Sequence, residues 1–268
     1  MIQALSTLLP CLYLALVGLC GAAFMASEER RYLGARRTLL FLTLGVHAGL
    51  FAARFTEVPG MPALSGFAAL SPLAFSIAGL HAWFARVERG QAGSATITYG
   101  VAFSLQLLSS ALAPLEVLPA HDRPALFYAL HVSSALVASA ALALSGIDGL
   151  LYLILYRQMR LRRFGPLFGS LPSLDQLAVR MRRAALFACL FLAVGVNAGI
   201  WWAHRAQVTG FSYRDPFVLG LIALMLHFGV VAFSRRIPLL TARRAAMAAV
   251  GGLVILVVSL GYSLLPRG

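Results

Sequence analysis

From Ala125 to Tyr156 the chain reads ALFYALHVSSALVASAALALSGIDGLLYLILY, with one acid, Asp148, one histidine, His131, and no basic residue. As a helix this run extends about 48 Å, more than the ~30 Å hydrocarbon core of a bilayer. A segment so long and so poor in charge has few places to go except through a membrane, where only a helix or a closed barrel satisfies its own backbone. The chain as a whole agrees, being 60% hydrophobic and only 12% charged, with a mean hydropathy of +0.84.

Similar apolar runs recur along the sequence and predict eight spans, at about 4–24, 38–55, 67–84, 95–115, 125–156, 184–203, 216–233 and 245–264. The first lacks a charged start and a small-residue cleavage signature, so it is expected to be a retained helix. All the basic residues are arginines, and 17 of the 22 fall in alternate connections, which the positive-inside rule makes cytoplasmic. The other five are Arg54, Arg123, Arg205, Arg214 and Arg267. This distribution predicts an all-α polytopic bundle of about eight transmembrane helices, a single domain over 1–268, with both termini on the outer, periplasmic side.

The same pattern narrows the chemistry. A net charge of +13 sets topology here, so no nucleic-acid partner is expected, and the lipid bilayer is the surface the arginines meet. Without lysine there is no P-loop and no Schiff base. Cys11, Cys20 and Cys189 lie singly in apolar runs, which argues against zinc and thiol exchange. In the long basic connection after Tyr156, Ser173 followed by Asp175 and Gln176 resembles a helix start, and an amphipathic helix lying on the inner surface is expected there.

Histidines carry most of what remains. His47 and His227 fall about 14 Å and 17 Å inside their spans, near the midplane, where an imidazole needs a partner or a metal. Two rings on different helices are an arrangement that holds haem iron axially, and two unrelated helix contacts are the alternative. A second group lies outward: His131, His121, and His204 just after Trp201 and Trp202. Trp201, Trp202 and Tyr213 also suit an interfacial aromatic belt. His81, close to the inner interface, is expected to be structural.

HVSSALVASAALALSG, the loop segment LPSLDQL, LFLAVGVNAGIWWAH and FSYRDPFVLG follow one another in an order similar to the cytochrome c assembly protein family. The likeness is to its CcsA/CcmC-type haem handlers and especially the HemX-like branch. It is strongest over 125–268, and LGVHAGLFAARF and GMPALSGFAALSPLAF resemble the amino-terminal half more loosely. It implies a haem-handling protein of c-type cytochrome biogenesis in the bacterial inner membrane, more a delivery factor than an enzyme. The implied cofactor is haem b. The implied partners are haem, apocytochrome c and other maturation membrane proteins.

By that resemblance His131 falls on an outer haem-ligating histidine, and His47 on a buried one. Trp201, Tyr213, Asp215 and Pro216 fall on a tryptophan-rich haem cradle, beside Trp202, while His227 lies almost two turns before the expected second buried histidine. Tyr213 stands where the family usually has tryptophan, Arg214 is extra, and Phe217 replaces a lysine. Arg205 and Arg214 are candidates for pairing with haem propionates. Two further readings stay open: a HemX-like regulator of haem synthesis that meets a cytoplasmic enzyme through the basic loop, and a cytochrome b-like electron carrier.

Overall fold

The computed structural model describes residues 2–26, 29–57, 66–84, 92–112, 126–162, 165, 168–205, 212–214 and 216–264. Among them are eight α-helices and no strand: α1 Ile2–Ala26, α2 Glu29–Glu57, α3 Leu70–Phe84, α4 Ala92–Leu112, α5 Leu126–Arg160, α6 Leu174–Arg205, α7 Pro216–Ala232 and α8 Ala242–Leu264. Short 3-10 turns precede α3 and follow α7. By length and composition α1, α4, α5, α6 and α8 are each able to cross a membrane, and α3 and most of α7 are shorter apolar helices.

The helices sort into two compact units. The first holds α1 to α4, the part of α5 from Leu151 and α6 as far as Leu177. Within it α1 packs on α2 and α4, and α3 on α4. Ser6, early in α1, bonds to Ser110, late in α4, while Gly21 near the end of α1 faces Thr96 near the start of α4, so these two helices run antiparallel.

The second unit holds α5 up to Leu150, α6 from Ala178, α7 and α8. Here the SGIDG stretch explains itself as packing. A side chain at Gly146 would collide with Leu253 of α8, and one at Gly149 would stand 3.0 Å from the Ala246 carbonyl. Glycine removes the bulk that would hold α8 away, the usual basis of close helix contact in membranes. Gly252 of α8 does the same service for the Phe228 ring of α7.

Two expectations change. The amphipathic segment after Ser173 is not a separate surface helix but the first turns of α6, continuous to Arg205. Ser173 does start it, in a capping box: the Gln176 amide donates to Ser173 Oγ at 3.3 Å and the Ser173 amide to Gln176 Oε1 at 3.0 Å. The helix stays in the bundle because its inward side buries Leu177, Arg180 and Met181. Likewise α2 begins at Glu29, so the arginines of the first connection lie on its opening turns. Arginine favours helix, and the one glycine in the stretch, Gly34, costs too little to break it.

Candidate functional site

His131 lies in the second turn of α5, half-buried, facing α6. Across from it α6 carries GVNAG, and with no side chains at Gly195 and Gly199 its surface is a shallow seat for the ring. A Cβ on Gly199 would sit 2.7 Å from His131 Nδ1. The ring is held there by a 2.7 Å hydrogen bond between Nδ1 and the Gly195 carbonyl. A carbonyl only accepts, so Nδ1 carries the hydrogen and Nε2 of the neutral ring keeps its lone pair. Metal-ligating histidines are prepared in this way, one nitrogen donating to a backbone carbonyl and the other left basic.

Aromatic side chains gather around the same helix ends. Phe127 stacks on Trp201 with centroids 5.8 Å apart, and Tyr128 packs on Trp202 at 5.0 Å. Arg205 lies over the Trp201 ring at 5.8 Å. A cleft of about 390 Å³ runs along this side, lined by Phe127, Leu130, Val194, Asn197 and Trp201 with Ala193 and Ala198. Beyond it His204 Nε2 hydrogen-bonds the Tyr213 hydroxyl, and Trp201 and Tyr213 remain 53% and 56% exposed. Successive residues on a helix point about 100° apart, so Trp201 faces the cleft while Trp202 turns to Tyr128. Asp215 and His121 lie outside the described residues.

His227 of α7 lies in this unit too, half-buried, its Nε2 donating to the Ala248 carbonyl of α8 at 2.9 Å. By the same reasoning its lone pair is on Nδ1. Its ring meets Phe228 edge-on at 5.4 Å.

His47 belongs to the first unit and is in a different condition. It is fully buried, with Phe51 and Phe75 against its ring at 4.8 Å and 5.2 Å. Both nitrogens are engaged, Nδ1 by the Tyr13 hydroxyl at 3.1 Å and Nε2 by Ser71 Oγ at 2.9 Å. A ligand would reach Nε2 only if Ser71 withdrew. His81 is buried beside Tyr99, ring edge to ring face at 5.1 Å, a packed position.

Sequence reasoning missed two polar features. Asp148, the one acid of its apolar run, is 3% exposed and paired with Arg180 of α6. Tyr13, Ser71 and Gln106, single polar groups in apolar runs, converge through His47 and one another. The signal in both cases is a polar residue at a buried helical position, which must have a partner that the sequence does not name. Among the described residues no three His, Cys, Asp or Glu side chains converge as a many-ligand metal cage would need.

An all-helical chain rich in membrane-length helices, with His131 seated on the glycines of α6 and aromatic pairs at the same helix ends, defines a multi-pass membrane protein. The family is shown directly: the model of the cytochrome c assembly protein family matches residues 38–268, and the chain belongs to that family. A curated relative, Protein HemX of Brevibacillus brevis, is 29% identical over 97 residues, 36% of this chain and 36% of that protein. The match therefore spans about a third of the relative's length. No solved structure matches.

Proposed function

We propose that this protein binds haem b and hands it on during maturation of c-type cytochromes, as one transmembrane domain of eight spans over 1–268 in the bacterial inner membrane, termini outside. The observation that carries the reading is the His131 ring, whose Nδ1 is committed to the Gly195 carbonyl so that the Nε2 lone pair is left for a ligand, on the two helices that also line the cleft. Family membership supplies the context. The topology is supported by the antiparallel runs of α1 with α4 and, in the other unit, of α5 with α6.

Bound haem would supply an iron that takes imidazole nitrogen and vinyl groups able to form thioethers. This chain's part is to bind and orient. His131 Nε2 would be the first ligand of the iron, with His227 and His47 as further ligands, His47 only after Ser71 moves aside. Trp201, Trp202 and Tyr213 exclude water along the ring, and Asp215 belongs to the same outer segment. Arg205 and Arg214 offer paired donors to propionates. Apocytochrome c and other maturation membrane proteins are the partners, and bond formation falls to them.

Absorption spectra of the detergent-purified protein beside His131→Ala, His47→Ala and His227→Ala test the reading. Haem in the wild type and a large loss in His131→Ala are expected, whereas full haem in all three variants would reject the ligand assignment. A second reading, a regulator of haem synthesis, rests on the resemblance to the HemX-like branch. Its sign would be a wild type without haem that co-purifies with a cytoplasmic enzyme of that synthesis through the basic loop after Tyr156.

A further inference from the structure

Tyr13, His47, Ser71, Gln106 and Ser110 come from four helices and form one unbroken chain of hydrogen bonds inside the first unit. Its direction can be worked out from its end. Ser110 Oγ lies 2.7 Å from the Ser6 carbonyl, which can only accept, so the Ser110 hydrogen is committed there. Ser110 must then accept from Gln106, which turns the Gln106 amino group toward it, at 3.0 Å, and its carbonyl toward Ser71. Ser71 donates to that carbonyl at 2.8 Å and is left as an acceptor for His47 Nε2. His47 therefore carries its hydrogen on Nε2 and accepts the Tyr13 hydroxyl on Nδ1. The opposite tautomer would leave the buried Tyr13 hydrogen with no acceptor among the described residues.

We infer that Ser71 and Gln106 are positioning residues that fix His47 as its Nε2–H tautomer and hold that edge of the ring closed to a ligand. A ligand at Nε2 requires three linked changes: the hydrogen passes to Nδ1, Tyr13 turns from donor to acceptor, and Ser71 withdraws. A chain of hydroxyls alone could run either way. Anchoring on a backbone carbonyl makes it run one way, and bonds so aligned polarise and strengthen one another. The functional meaning rests on His47 being a ligand of the proposed cofactor, but the tautomer belongs to the unloaded protein and is read there.

The test is nitrogen NMR of the full-length, haem-free protein in nanodiscs, with ¹⁵N-labelled histidine and the His47 signals assigned by their loss in His47→Gln. Wild type is expected to show a protonated Nε2 and an unprotonated, hydrogen-bonded Nδ1. Gln106→Leu frees the Ser71 hydrogen, and a second tautomer should rise to a tenth or more of the population. Ser71→Thr, which keeps the hydroxyl, should preserve the wild-type pattern. If Gln106→Leu fails to fold, Ser110→Ala removes the anchor with little change in volume and should release the tautomer in the same way. A wild-type ring protonated on Nδ1, or a folded Gln106→Leu or Ser110→Ala protein with an unchanged pattern, would overturn the inference. Failure of the haem reading would leave these spectra as they are, so the two failures are distinguishable.

Discussion

Arg180 Nη2 stands 3.0 Å from Asp148 Oδ1, the two side chains being 2% and 4% exposed, and this pair ties α5 to α6 within the second unit. Neither charge would be tolerated alone at such burial, since the surroundings cannot replace water around an isolated ion. Together they explain why α6 runs unbroken through a stretch of arginines that reads as the edge of a span.

Removing one partner should therefore cost much more than removing both. Asp148→Ala leaves a buried guanidinium, and loss of stability of roughly 3–5 kcal/mol is expected. The double variant Asp148→Leu, Arg180→Met should recover most of it, because an apolar pair of similar volume is often close to neutral. Reversible unfolding in detergent, compared across the two variants, provides the check.

Gly199 offers a way to move His131 without touching it. Alanine in place of glycine within a helix usually stabilises, by about 0.5–1 kcal/mol. Here the new Cβ would press into the ring at 2.7 Å from Nδ1, so Gly199→Ala should break the bond to Gly195 and reduce haem content several-fold while the helix itself persists. Gly195→Ala, whose Cβ comes no closer than 3.4 Å to its neighbours, should keep haem near wild type. Absorbance per protein, with circular dichroism as the control, separates the two.

Packing of α8 on α5 depends on Gly146. Gly146→Ala forces its methyl into Leu253, and overpacking of this kind costs about 1–3 kcal/mol. Leu253→Gly in the same chain should restore part of the loss, because the atom that the new methyl meets first is the Leu253 Cβ itself, whereas on its own it should destabilise. Melting temperatures of the three variants give the comparison.

The capping box at the start of α6 predicts a smaller, local effect. Ser173→Ala removes the acceptor for the Gln176 amide and should cost about 1 kcal/mol. Hydrogen exchange should speed up in the first turn of α6 and remain unchanged beyond Ala184, where the helix is apolar.

Helix positions were largely legible, because an apolar run of twenty residues leaves the backbone one way to satisfy itself in lipid. Ser173 was legible too, since a cap is a local bond between neighbours in sequence. What the sequence withheld was pairing between helices. Asp148 and Arg180 are far apart along the chain, and nothing in either segment names the other. At the site, a ligand role for His131 could be suspected from its place, but the lone pair on Nε2 follows only from the Gly195 carbonyl on another helix. His47 shows the converse: its depth marks it as needing partners, while Tyr13 and Ser71 from α1 and α3 supply them both.

The most direct measurement on the central claim is chemical rescue at residue 131. The His131→Gly protein, purified with and without imidazole, should lose most of its haem absorbance and regain a spectrum close to wild type when imidazole occupies the space the ring has left. Haem bound at wild-type stoichiometry by His131→Gly without imidazole would contradict the account.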